Sequence, residues 1–203
     1  MIGLLGGTFD PVHLGHLRLA EEMREALGLS SVRFVPAARP PHREDPQADA
    51  QERLRLVTLA VADHPDFVVD DRELARAGRS YTVDTLASIR AELGTAQPLV
   101  LIMGMDAFNG FTRWHCWQHI LAQAHLAVAT RPGSEPGPEA RRLLGAHGVD
   151  PEALADSPAG KICQVPITRL DISATAIRER RARGGSLRYL VPEAVRQALA
   201  ETN

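Results

Sequence analysis

Gly6-Gly7-Thr8-Phe9-Asp10-Pro11-Val12-His13-Leu14-Gly15-His16 is the stretch on which the fold turns. The apolar run Ile2–Leu5 before it reads as a buried strand, and Leu14–Leu27 after it reads as a helix. A strand, a glycine-rich turn and a helix form a phosphate site. The glycines let backbone N–H groups approach an anion, and the helix N-terminus favours negative charge. His13 and His16 stand one helical turn apart, so a helix that has begun there sets both on one face, over the anion.

Working outward, Val32–Val35 reads as a second strand ended by Pro36, and strand–helix–strand implies a parallel βαβ unit. Arg39-Pro40-Pro41-His42-Arg43-Glu44 reads as an extended loop. Ala50–Asp63 is helical by pattern with Leu54, Val57, Leu59 and Val61 inward, and Phe67–Val69 is a short strand. Arg79–Leu86 opens a helix that several of its side chains are able to cap. Leu99–Met103 is the most apolar strand, hence central, and ends at Gly104-Met105-Asp106. Trp114–Gln123 reads as a helix and Leu126–Ala129 as a strand followed by Arg131. Ser134–Pro158 reads as an excursion with an amphipathic piece near Ala140–Ala146, and Ile162–Val165 as the last strand. Ile172–Arg183 and Pro192–Ala200 read as terminal helices. The expected architecture is α/β: a Rossmann-like, doubly wound parallel sheet of about five or six strands flanked by helices. The whole of 1–203 is expected to be a single domain, with a C-terminal helical part over about 172–203.

The 203 residues suffice for one such core, and a net charge of −2 gives no basic field for nucleic acid. Cys116 and Cys163 have no metal spacing, which points to a reducing, cytoplasmic setting. No basic leader precedes the first strand, and the apolar run Leu99–Met105 is too short to span a bilayer, so neither signal peptide nor membrane partner is expected. Lys161 is the single lysine and lies in neither motif. Phosphate charge therefore falls to Arg, His, backbone N–H groups and a metal.

Gly6–His16 resembles the signature of the nucleotidyltransferase superfamily that carries an HxGH motif. Ile172-Ser173-Ala174-Thr175-Ala176-Ile177-Arg178 resembles its second motif, ISSTxIR, with Ala174 where many relatives have serine. The segments between resemble the bacterial nicotinate-nucleotide adenylyltransferases. That resemblance implies adenylyl transfer from ATP to nicotinate mononucleotide, giving deamido-NAD and pyrophosphate. Mg²⁺ is expected on the ATP phosphates, and no protein ligand of the metal is assigned. Oligomeric state stays open, a homo-oligomer included.

The candidate residues sort by substrate. His16, His13 and Arg178 are the candidate catalytic groups. Gly6, Gly7, Thr8, Phe9, His13 and His16 suit the α-phosphate, and Ser173 is a helix cap that leaves N–H groups for an anion. Thr175 and Arg178 extend that site, the resemblance placing Arg178 on the β- or γ-phosphate. Gly104 and Asp106 suit the adenosine, although Asp106 also suits a helix N-cap, and Arg131 is grouped with the ATP residues. Asp10 reads either as a turn residue bonding its own backbone or as a ligand contact. For nicotinate mononucleotide the candidates are His42 and Arg43 as loop cations, and Tyr81, Thr82 and Thr85 as the ring-and-carboxylate loop that the resemblance implies. Trp114 is the candidate stacking platform, with a core position as the alternative, and Trp117 reads as core. His64, His115, His119, His125 and His147 read as structural or exposed. A nicotinamide or dual-specificity acceptor is the near alternative. A nucleotide-binding regulator without turnover is the distant one.

Overall fold

The computed structural model describes residues 1–39, 46–76 and 78–201. Its centre is a six-stranded parallel sheet of β1 (Ile2–Gly7), β2 (Ser31–Pro36), β3 (Phe67–Val69), β4 (Leu99–Gly104), β5 (His125–Thr130) and β6 (Ile162–Pro166), in the order β3-β2-β1-β4-β5-β6. The chain winds outward from β1 to β3, then returns to β4 on the other side of β1. The reversal of strand order therefore lies between β1 and β4, the two central strands, where a doubly wound sheet opens its ligand crevice. β1 and β4 pair only from Ile2–Leu99 to Leu4–Leu101, short of their carboxyl ends at Gly7 and Gly104.

Alternation along the strands sorts the core into two layers. Leu5, Val100 and Ile102 face the layer built on α1 (Leu14–Leu27) and α2 (Ala50–Val61). Leu4, Leu99, Leu101 and Met103 face the opposite layer. Helix α1 buries Ala20, Met23 and Leu27, an i, i+3, i+7 stripe, and stops at Gly28, whose φ of 59° is the left-handed conformation glycine adopts freely. Helix α2 starts at Asp49, whose carboxylate accepts the Glu52 N–H at 2.8 Å.

A short helix α3 (Arg72–Ala75), absent from the pattern reading, precedes α4 (Thr82–Leu93). Tyr81 is the N-cap of α4 and no side chain caps it, contrary to expectation. Helix α5 (Met105–Asn109) springs directly from β4 with Gly104 as its N-cap, which excludes Asp106 from that position. The helix expected over Trp114–Gln123 is shorter. A 3-10 turn at Phe111–Arg113 and a left-handed Cys116 (φ 52°) delay α6 to Trp117–Gln123 and leave Trp114 outside it. The excursion holds α7 (Pro138–His147) and a 3-10 turn at Pro151–Asp156, whose Leu154 is fully buried in the sheet core. Helices α8 (Ala174–Ala182) and α9 (Glu193–Glu201) bury Ile177, Val195, Ala198 and Leu199 in the same layer as α1 and α2. The C-terminal helices are thus part of the one core. In α2 the inward positions belong to Arg53, Leu56, Val57 and Val61. Leu54 and Leu59 are only half-buried.

Candidate active site

The loop from β1 to α1 brings the first motif to the carboxyl end of the sheet. His13 is the N-cap of α1 and its ring is 6% exposed. It stacks on His16 with ring centroids 3.7 Å apart. His16 Nδ1 accepts the His13 backbone N–H at 3.3 Å, which places the proton of a neutral His16 ring on Nε2. The Phe9 ring stands edge-on to His16 at 5.0 Å. Gly15 completes the arrangement: a Cβ there would lie 3.0 Å from His13 Nδ1. Burial, with the Arg131 charge adding, pushes the His13 pKa down to about 4, so His13 is neutral near pH 7. Among the described residues no group hydrogen-bonds to its buried Nδ1.

The second motif docks on the first. Ser173 caps α8 as expected, its Oγ accepting the Ala176 N–H at 3.2 Å. Its hydroxyl is therefore engaged in the helix itself. Arg178 donates from Nη1 to the Asp10 carbonyl at 2.7 Å and from Nη2 to Thr175 Oγ1 at 3.3 Å, while its buried Nε has no partner. Asp10 departs from the reading of a turn residue that bonds its own backbone. Its carboxylate, 7% exposed, accepts the N–H groups of Gln47 at 2.8 Å and Ala48 at 3.3 Å, so it anchors a neighbouring loop rather than its own turn. The Asp10–Pro11 peptide bond is cis.

Gly6 and Gly104 flank the crevice. A Cβ built on either meets no protein atom within 4 Å, so both leave open space. Asp106 is exposed in the first turn of α5. Arg131, half-buried just beyond β5, is close enough for its charge to act on the His13 ring.

On the α4 side, Tyr81 lies 4.5 Å from the His115 ring, and Thr82 is the half-buried first residue of the helix. Thr85, the third candidate of this loop, points inward. It is buried, donates to Glu73 Oε1 at 2.5 Å and accepts from Arg76 Nη2 at 3.2 Å. Burial raises the Glu73 carboxyl above its ordinary range. Trp114 is half-buried and edge-on to Phe111 at 5.7 Å. Trp117, expected in the core, is also half-buried and edge-on to Phe111 at 5.9 Å. His42 and Arg43 lie outside the described residues.

His125 is fully buried between the Ser157 carbonyl and the Lys161 N–H, in keeping with a structural role. Among the described residues no group of three or more His, Cys, Asp or Glu side chains is assembled for a metal ion. Among them, too, no helix is long and apolar enough to cross a membrane.

The sequence reading missed Arg53, which is 1% exposed beneath the first motif. Its signal was present in the pattern: an arginine on the helix face shared by Leu56 and Val57 must carry its charge into the interior.

A doubly wound sheet with a glycine turn, a histidine pair and a capped second helix at its crevice defines a nucleotide-binding transferase, and the family model described as cytidylyltransferase-like matches residues 4–180. The chain is 52% identical over 98% of its length to a probable nicotinate-nucleotide adenylyltransferase of Halorhodospira halophila, covering 93% of that protein. It is 51% identical to the protein of the same description from Pseudomonas entomophila, over 96% of this chain and 90% of that one. The chain belongs to the bacterial nicotinate-nucleotide adenylyltransferase family. Its fold is also that of the Plasmodium falciparum nicotinic acid mononucleotide adenylyltransferase complexed with NaAD, with a TM-score of 0.77 at 13% identity over 100% of this chain and 95% of that one.

Proposed function

We propose that this chain transfers the adenylyl group of ATP to nicotinate mononucleotide, forming nicotinate adenine dinucleotide and pyrophosphate in the synthesis of NAD. Family membership carries the assignment of the acceptor, and the structural neighbour solved with NaAD fits the product end of the reaction. The observation that carries the mechanism is the stacked His13–His16 pair above the glycine turn, with Arg178 joining the second motif to the first.

In this reading the phosphate of the mononucleotide attacks the α-phosphorus in line with the departing pyrophosphate, and no covalent enzyme intermediate is needed. Charge grows on the α-phosphate oxygens and on the leaving group. His16 Nε2–H and the N–H groups of Gly7, Thr8 and Phe9 donate to the α-phosphate, each worth roughly 3–4 kcal/mol in a dry site. His13, neutral because it is buried, supplies a hydrogen bond rather than a charge. Arg178 and the first turn of α8, held by Ser173 and flanked by Thr175, take the β- and γ-phosphates. Gly6 belongs with the α-phosphate loop, and Gly104, Asp106 and Arg131 receive the remainder of ATP. Tyr81, Thr82 and Trp114 receive the pyridine ring and its carboxylate, with Thr85 acting from below through Glu73 and Arg76. His42 and Arg43 are proposed for the mononucleotide phosphate. Mg²⁺ enters as part of the ATP substrate, neutralising its phosphates. Asp10, the one acid of the first motif, holds the Gln47 and Ala48 N–H groups with its two carboxylate oxygens.

The test is a paired steady-state assay of pyrophosphate release with Mg²⁺-ATP and either nicotinate or nicotinamide mononucleotide. A kcat/KM ratio of roughly a hundredfold or more for nicotinate, about 2.7 kcal/mol of discrimination, is expected. A ratio near one makes the enzyme dual-specific. ATP binding without product from either acceptor supports the regulator instead.

A further inference from the structure

Arg53 is the largest fully buried side chain among the described residues, yet none of their carboxylates hydrogen-bonds to it. It donates to four backbone carbonyls. Nη1 reaches Thr8 at 2.7 Å and Ala37 at 2.6 Å, Nη2 reaches Ala38 at 3.3 Å, and Nε reaches Ala48 at 3.3 Å. Burial lowers its pKa, while the charges of Asp10 and Asp49 oppose that shift. An apolar residue would fill this position without the desolvation cost of a cation. What the guanidinium adds is geometry, because its planar fork fixes three chain segments at once beneath the first motif.

The Thr8 carbonyl is the informative partner. The Thr8–Phe9 peptide is trans, so its C=O and N–H point in opposite directions. Holding the carbonyl inward on Arg53 turns the Phe9 N–H the other way. Phe9 has φ 50°, a left-handed conformation that a non-glycine residue keeps only when its surroundings impose it. Among the described residues no backbone carbonyl accepts the Phe9 N–H.

We propose that Arg53 is a positioning residue for adenylyl transfer, holding the Thr8–Phe9 peptide so that the Phe9 N–H donates to one non-bridging oxygen of the α-phosphate. The inference rests on the reading of this loop as the α-phosphate site. Arg53 touches no substrate and acts through the peptide it orients.

The two α-oxygens of ATP are distinguished by replacing either one with sulfur, a weak acceptor. Wild type, Arg53→Lys and Arg53→Gln are assayed with ATP and with each phosphorothioate diastereomer, alongside thermal midpoints. Wild type is expected to prefer one diastereomer. Arg53→Gln is expected to lose kcat roughly tenfold or more with ATP, to keep its KM for the mononucleotide, and to lose the diastereomer preference. Arg53→Lys, which keeps the charge with fewer donors, is expected to fall between, and it decides the matter if Arg53→Gln fails to fold. A folded variant that slows equally on both diastereomers and keeps the wild-type preference overturns the proposal, as does a wild type indifferent to them. A wild type that releases no pyrophosphate overturns the functional reading and this inference with it, whereas an active wild type with an unmoved preference in the variants overturns this inference alone.

Discussion

Gly15 packs against the ring of His13, one of the residues proposed for catalysis. It sits in the first turn of α1, where glycine-to-alanine normally stabilises a helix by up to about 1 kcal/mol. Here the added Cβ would lie 3.0 Å from His13 Nδ1 and 3.1 Å from its Cε1, so the ring has to move by a few tenths of an ångström. Gly15→Ala is therefore expected to leave the thermal midpoint unchanged or slightly higher while lowering kcat roughly tenfold or more. Differential scanning fluorimetry and pyrophosphate release check the two halves; full activity would show that the glycine does not serve the histidine pair. His13 makes a second prediction at this scale. Its folded pKa of about 4 lies below the ordinary 6.5, so between those values the unfolded chain binds more protons and stability falls as pH falls. From pH 7 to pH 5 the wild type is expected to lose about 2 kcal/mol relative to His13→Gln. Urea unfolding at the two pH values measures it, and parallel pH profiles would refute it. The histidine pair was legible in the sequence because its spacing and glycines state their own geometry. Arg53 and Asp10 were not, because their partners are backbone groups of segments remote in sequence, and only the folded chain brings these together. The partner of the Thr85 hydroxyl was hidden for a similar reason: it is Glu73, which α3 delivers.

At the scale of elements, apolar pattern and punctuation were enough for every strand and for the longer helices, since burial of one face fixes their period. The failures fall where local backbone geometry overrides pattern. The left-handed Cys116 cuts the first turn from the expected helix, and α3 is too short to show a period. Helix α8 was legible down to its cap. Ser173 holds the Ala176 N–H and so keeps the first turn in shape at the point where Arg178 crosses to the Asp10 carbonyl. Ser173→Ala is expected to cost about 1 kcal/mol of stability. It is also expected to raise KM for ATP several-fold with little change in kcat, because the turn frays in the free enzyme and is restored by the bound triphosphate. Denaturant unfolding and ATP saturation curves measure these. A fall in kcat at unchanged KM would instead give the hydroxyl a role in the transition state.

At the scale of the molecule, the two winding directions of the sheet meet where β1 and β4 stop pairing, and the first motif, the second motif that docks on it, and the Gly6–Gly104 opening gather there. The chain brings cations and N–H donors to that crevice. Among its described residues no cluster of three or more acids, histidines or cysteines is preformed for a metal. Under the proposed reaction, triphosphate and mononucleotide bring several negative charges together, and the expected Mg²⁺ is carried on the ATP phosphates. This separates two effects that a resident metal would join. Chelation with EDTA is expected to abolish turnover while leaving the thermal midpoint of the free protein unchanged. The stabilisation conferred by ATP, about 2.7 kcal/mol at a hundred times Kd, is expected to shrink in EDTA, because metal-free triphosphate meets the crevice with its charge unscreened. Thermal scans of free and ATP-saturated protein with Mg²⁺ or EDTA distinguish the cases. A midpoint that drops on chelation in the absence of ATP would place a metal in the protein itself and reopen the carboxylates around the crevice, Asp106 first.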